Sequence, residues 1–389
     1  MSDKAICEKT AIVGIGSSDF RALYAERDPE RTAEDLAVAA VRDALDDAGL
    51  KRDDIDGLIT AGVGNYEPFG FRSGLKDVRF LADYPSGGRM CAIALAHAAM
   101  AVHHGLANYV VMFNSVVFRS AGARFGGGPA QGGNPAQGNL YDAIAGMASP
   151  GALYALAFTR YQHLYGATEE QLGEIAVAIR NNSVLNPIAS LQQHITIDDY
   201  MQSRYVARPL RLFDYCLIND GAVAYIVTTA ERAKDLRHPP VYIASFAEQA
   251  TLREHYVAED FWYDACGSMR ADLLDSIGLT IQDVDSVQVY DNFSVSVLWG
   301  LEGFGFAPRG QGLDWLKGGR IALGGELPVN TSGGMMAEAY LQGWNNHAEA
   351  VRQLRGEAGE RQVPNCRTIL YWCLSAVPGG TVLTNGGGA

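Results

Sequence analysis

The first strongly apolar stretch, AIVGIG at 11–16, is the right length for a buried strand and too short for a helix. Thr32 followed three residues later by Asp35 has the form of a helix start. From there Ala33, Leu36, Ala37, Ala40, Val41, Ala44, Leu45 and Ala48 recur at i, i+3, i+4 and i+7, so one face of that helix is apolar. Gly49 closes it, as glycine does where the chain must turn left-handed. GLITAGV at 57–63 reads as the next strand. Strand, helix and strand in this order predict an α/β fold with a largely parallel sheet.

The same pattern returns 229 residues later, where ALDDAGLKRDDIDGLI (44–59) is matched by LLDSIGLTIQDVDSVQ (273–288). Leu45, Asp46, Gly49, Leu50, Asp54 and Asp56 reappear as Leu274, Asp275, Gly278, Leu279, Asp283 and Asp285, six identities in sixteen positions. An internal repeat follows. A second pair, SGGRM at 86–90 and SGGMM at 332–336, is expected near the start of a helix in each copy. Two halves of one topology would meet around 235–240, dividing the chain into an N-terminal half, 1–237, and a C-terminal half, 238–389. The first half carries an insertion at 116–205. It begins with AGARFGGGPAQGGNPAQGN, which cannot pack as core and reads as a loop or lid, and it continues with two helical periods.

Composition narrows the function classes. With 31 basic and 44 acidic residues the net charge is −13, which disfavours binding to nucleic acid or to an anionic membrane surface. No apolar run reaches the ~18 residues of a membrane span. Six cysteines are scattered without a CxxC pair and no secretory leader precedes them, so reduced thiols in a cytoplasm are expected, with no metal site.

Several segments carry a family resemblance: YGATEEQLGEIAVAIRNNSVLNPIAS (165–190), RPLRLFDYCLINDGAVAYIV (208–227), VYDNFS (289–294), VNTSGGMMAEAYLQG (329–343) and EAVRQLRGEAGERQV (349–363). Together with the repeat they resemble the thiolase superfamily, in particular its lipid-transfer-protein branch. The resemblance implies two βαβαβ-type halves in a five-layered αβαβα arrangement, a loop domain over the active site, a homodimer and an acyl-CoA thioester as ligand.

The residues that carry thiolase chemistry are replaced. A thiolase needs a nucleophilic cysteine at a helix N-terminus, where the dipole lowers the thiol pKa. Family spacing puts that position at Gly88, and glycine cannot attack a thioester. The two motif histidines fall on Tyr290, in YDNFS, and on Tyr340, in AYLQG. The cysteine of the last motif corresponds to Cys373 in a weak match, and Cys91 lies three residues beyond Gly88.

Two phenols beside a CoA thioester suit a retro-aldol: a β-hydroxyl loses its proton, the Cα–Cβ bond breaks to give a ketone, and the thioester enolate is protonated. The usual aldolase devices are poorly represented, since the lysines lie in polar or turn-like stretches and His97, His103 and His104 lie on or beside a core helix. Tyrosines at both histidine positions resemble the thiolase-like aldolases of bacterial steroid side-chain degradation. That resemblance implies a 17-hydroxy steroid carboxyl-CoA split to a 17-ketosteroid and propanoyl-CoA, with no bound cofactor. It also implies a heterotetramer with a small OB-fold and zinc-ribbon partner. Tyr290 is then the base, Tyr340 the acid or enolate stabiliser with the roles exchangeable, and Asp291 a supporting group. Gly88, Ser332, Gly333, Gly334 and Cys373 would line the thioester end. Two alternatives stay open: a true thiolase using Cys91 or Cys373, and a non-catalytic acyl-CoA or sterol-binding subunit.

Overall fold

The structure is a computed structural model that describes residues 6–63, 66–85, 90–123, 149–249, 258–375 and 377–386. Its strands are β1 (Thr10–Ser17), β2 (Gly57–Ala61), β3 (Phe80–Tyr84), β4 (Tyr109–Val117), β5 (Tyr205–Ala207), β6 (Leu210–Arg211), β7 (Asp220–Thr229), β8 (Val241–Glu248), β9 (Ser286–Val289), β10 (Thr368–Cys373) and β11 (Gly379–Thr384). The helices that matter to the site are α1 (Ala33–Ala48), α2 (Tyr66–Ser73), α3 (Met90–His103), α4 (Pro150–Tyr165), α5 (Glu169–Asn182), α6 (Tyr263–Leu273), α7 (Ser294–Gly303) and α8 (Trp344–Arg355).

Nine strands form a mixed sheet, mostly antiparallel rather than the largely parallel one expected, in the order β3-β2-β4-β7-β1-β8-β11-β10-β9. Outward from the centre, each half repeats one plan. Its first strand (β1 or β8) is central, its last (β7 or β11) lies antiparallel beside it, and then come the penultimate (β4 or β10) and the second (β2 or β9), these two parallel to each other. Within the sheet the halves join through β1 and β8, which pair at Ala11 with Tyr242 and Ile12 with Val241. Helices α3 and α8 pack against strands of both halves, α1 covers the outer face of the first half and α6 that of the second. The layers therefore run helix, sheet, helix, sheet, helix, as expected. α3 is buried nearly all round and includes six alanines, whose small side chains let a helix sit between two sheets.

Each of the six repeated residues does the same work twice. Gly49 and Gly278 are left-handed helix stops, with φ of 72° and 80°. The Leu45 and Leu274 carbonyls accept from Leu50 and Leu279, and the Asp46 and Asp275 carbonyls from Gly49 and Gly278. Asp54 and Asp283 accept from the backbone N–H three residues earlier, at Lys51 and Thr280. Asp56 takes the N–H groups of Asn108 and Tyr109 at the start of β4, while Asp285 takes those of Arg367 and Thr368 at the start of β10. These carboxylates fix where the second parallel strand begins, so the repeated letters encode a register.

The SGG pair behaves differently. Residues 86–89 lie outside the described residues, and SGGMM leads into a five-residue π-type turn, Gly334–Glu338, with α8 starting only at Trp344. The Gly- and Pro-rich run at 124–148 also lies outside the described residues. The remainder of the insertion includes α4 and α5, separated at Gly166 (φ 72°), and ends at the start of the short β5–β6 hairpin. No helix among the described residues is long and apolar enough to cross a membrane.

His347 of α8 joins three parts of the central layer. Its Nδ1 lies 2.9 Å from Cys91 Sγ on α3 and its Nε2 lies 2.8 Å from Thr381 Oγ1 on β11. Burial pushes the imidazole down to about 4. Between about pH 6.5 and pH 4 the unfolded chain binds a proton there that the folded chain refuses. Stability should therefore fall as pH drops through that window, by about 3 kcal/mol in all. His347→Gln should lose less stability than the wild type between pH 7 and pH 4.5, read as urea midpoints. Identical acid losses in the two proteins would show that the imidazole is not held neutral.

Candidate active site

Tyr290 follows directly on β9, and its N–H continues the ladder to the Trp372 carbonyl at 2.8 Å. The preceding residue is clasped from the other side. Val289 N–H donates to Asn330 Oδ1 at 2.7 Å, and its carbonyl accepts from Asn330 Nδ2 at 3.1 Å and Asn346 Nδ2 at 2.8 Å. Asn330 is itself left-handed, with φ 48°, a conformation that asparagine tolerates better than most residues. An edge strand thus ends in a fixed position although only one neighbouring strand supports it.

Tyr340 arrives by a different route. The turn Gly334–Glu338 gives way to an extended Ala339, and Tyr340 N–H then donates to Asn219 Oδ1 at 2.6 Å. Its ring stacks on Phe118, just past the end of β4, with centroids 6.0 Å apart. Gln342 and Gly343, at φ 57° and 90°, turn the chain into α8.

These routes bring the two hydroxyl oxygens to 3.1 Å, within hydrogen-bonding distance, and either can donate. Tyr290 is only 6% exposed. Burial, together with the neighbouring Tyr340, pushes its phenol well above the usual range. Tyr340 is raised as well, first by burial and then by Cys216. Both phenols are therefore neutral at neutral pH, and the contact is a hydrogen bond between two phenols rather than one to a preformed phenolate. Around Tyr290 pack Ala92, Met335, Tyr371 and Cys373, with Cys216 and Tyr340 at the margin.

The remaining expected residues fall as follows. Asp291, expected to support a phenol directly, instead spends its buried carboxylate on the backbone. It accepts from Met335 N–H at 2.9 and 3.1 Å and from Met336 N–H at 3.3 Å, the first free donors of the turn that leads to Tyr340. Burial pushes this carboxyl up to about 7, against the pull of those donors. Ser332 turns its hydroxyl to Glu338 Oε2 at 2.7 Å, so that group does not serve the thioester end. Gly333 lies against Ser183, and Gly334 leaves room for Asp291 and Asn330. Gly88 lies outside the described residues. Cys91 is fully buried beside His347 and burial drives its thiol well above the usual range, the reverse of an activated nucleophile. Sequence reasoning missed the three asparagines, 219, 330 and 346. The only signal was a run of amides flanking the tyrosine motifs, and that does not say which backbone each would meet.

Residues 247–385 match the family described as Thiolase C-terminal domain-like. The chain is 38% identical over 360 residues to the 17-hydroxy-3-oxo-4-pregnene-20-carboxyl-CoA lyase of Mycobacterium tuberculosis, covering 90% of this chain and 92% of that protein. It is 36% identical over 358 residues to the steroid side-chain-cleaving aldolase of Thermomonospora curvata, covering 89% and 90%. The solved structure of the Ltp2-ChsH2(DUF35) aldolase is similar with a TM-score of 0.88 and 32% identity over 98% of both chains. Human mitochondrial 3-ketoacyl-CoA thiolase, at TM-score 0.69 and 14% identity, shares the fold.

Gly334 offers a direct check on the Asp291 grip. At φ 52°, a Cβ would collide with the Asp291 carboxylate and the Asn330 amide. Gly334→Ala should cost about 2–4 kcal/mol of unfolding free energy. An unchanged denaturation midpoint would mean that the turn does not depend on this close approach.

Proposed function

The chain belongs to the thiolase superfamily, in the branch of its steroid side-chain-cleaving aldolases, and from that premise we propose that it is a carbon–carbon lyase using the Tyr290–Tyr340 pair as its proton relay. The substrate is a steroid with a β-hydroxyacyl-CoA side chain, such as a 17-hydroxy steroid carboxyl-CoA, and the products are a 17-ketosteroid and propanoyl-CoA. The observation that carries this reading is the 3.1 Å contact between the buried Tyr290 and the partly buried Tyr340, the residues that the motif resemblance sets at the thiolase histidine positions.

The relay needs no charged phenol. The substrate hydroxyl gives its proton to the Tyr290 oxygen as its C–O bond becomes a carbonyl. Tyr290 passes its own proton to the Tyr340 oxygen, and Tyr340 delivers one to Cα as the Cα–Cβ bond breaks. One bond, Cα–Cβ, has broken, and the hydroxyl proton has in effect moved to carbon. This matters because a phenol of ordinary pKa, ~10, already lies about 4 kcal/mol from its phenolate at neutral pH, and burial widens the gap. Asp291 acts through the turn it holds, and Cys373 and Cys216 line the apolar side of the pair. Ser332, Gly333 and Gly334 contribute backbone to the thioester end.

In its assembly the chain divides into halves 1–237 and 238–389, with 116–205 as the covering domain, and it forms a homodimer. The solved Ltp2-ChsH2(DUF35) complex supports a partner of the DUF35 kind, for which a small OB-fold and zinc-ribbon protein in a heterotetramer is the expected form.

The test uses the complex of this chain with its DUF35 partner. Tyr290→Phe and Tyr340→Phe should each lower kcat by about a hundredfold or more with thioester binding changed less than about twofold, the range general acid–base groups supply. Ketone and short acyl-CoA are followed by chromatography. Undiminished turnover by the double variant would sink the assignment.

A further inference from the structure

The two tyrosines are anchored differently. Tyr290 hangs from β10 and from the clasp of Asn330 and Asn346, which the inserted domain meets through Asn182 Nδ2, donating to the Val329 carbonyl at 2.9 Å and the Asn330 carbonyl at 3.4 Å. The segment that carries Tyr340 is held by Asp291 and Asn219 and is bonded as well to residues 186–191 of the inserted domain. Ser190 N–H donates to the Glu338 carbonyl and Leu191 N–H to the Ala337 carbonyl, both at 3.0 Å.

At the centre of this junction is Glu338, two residues before Tyr340 and fully buried. Its two carboxylate oxygens face opposite ways. Oε1 accepts from Asn186 Nδ2 of the inserted domain at 3.1 Å. Oε2 accepts from Ser332 Oγ at 2.7 Å and from Asn345 Nδ2 of α8 at 2.9 Å. Asn186 Nδ2 also donates to the Ser332 carbonyl at 3.1 Å, which closes the ring of bonds. Burying a carboxylate without an ion-paired hydrogen bond is costly, and a shape-matched apolar residue would avoid that cost. What a carboxylate offers here is two acceptors on a rigid plane. It can hold the inserted domain on one side and the core on the other, which neither an amide nor an apolar side chain can do at once.

We propose that Glu338 is a positioning residue, with Asn186 as its contact on the inserted domain, through which that domain sets the place of Tyr340 relative to Tyr290. This rests on the reading that the two phenols react as a pair. A displacement of the inserted domain acting through this ring then alters the oxygen–oxygen separation of the relay by moving Tyr340 more than Tyr290. Ligand or partner contacts on that domain would be felt at the chemistry through this ring.

The test compares Asn186→Ala and Glu338→Gln with the wild-type complex. Glutamine keeps one acceptor and replaces the other with a donor, so one side of the junction must let go. Amide hydrogen exchange at 337–341 should accelerate by about tenfold or more in both variants, with 287–290 unchanged. With a β-hydroxyacyl-CoA steroid, kcat should fall by about tenfold or more and KM stay within about twofold, as expected when a reacting group is displaced and ground-state binding is not. Unchanged exchange at 337–341, or equal acceleration at 287–290, overturns the proposal, as does a rise in KM at constant kcat. Should Glu338→Gln not fold, Asn186→Ala decides alone. If the wild type cleaves no steroid while the exchange pattern appears, the junction stands and the assigned reaction falls.

Discussion

Two phenol oxygens held 3.1 Å apart in a largely buried site impose conditions on everything around them. A phenol buried against another phenol loses water on both sides, so each must find its partner without help from solvent. The rings cannot be placed by their own contacts alone, because both sit just past the ends of regular elements. The backbone beside each is instead gripped by amide side chains: Asn330 and Asn346 at Val289, and Asn219 at Tyr340 itself. Amides suit this role because each offers a donor and an acceptor to a peptide group.

The same frame explains how a thiolase architecture can serve another reaction. In the central layer the thiol nearest to the expected nucleophile position, Cys91, is packed against His347 and kept protonated by burial. A phenol differs from an imidazole in having one oxygen that both donates and accepts. Two such groups in contact can pass a proton along without separating charge. A low-dielectric site favours that over any step requiring a phenolate.

The two halves solve one folding problem twice. Each must begin its parallel strand at a defined residue, and each does so with an aspartate that takes two backbone N–H groups of the neighbouring strand: Asp56 in one half and Asp285 in the other. The halves differ where function enters. The first accepts an inserted domain between β4 and β7, and the second carries both tyrosines. The inserted domain reaches back to the second half through Asn186 and Glu338, so the site depends on a contact between segments about 150 residues apart in the chain.

Local order along the chain determined much of this protein. Apolar spacing from Ala33 to Ala48 and the stop at Gly49 mark α1 because helix periodicity and left-handed glycine are properties of neighbouring residues. Six identities at one offset marked the repeat because each makes a bond within a few residues or at a fixed strand start. The tyrosines were legible as replacements in known motifs. Tertiary structure alone decided what those residues touch. That Asp291 would turn to the backbone of Met335, that Ser332 would face Glu338, and that three asparagines would hold two tyrosines all depend on segments brought together by packing. A buried polar side chain bonds to whatever the fold sets beside it, and neither spacing nor composition records that neighbour.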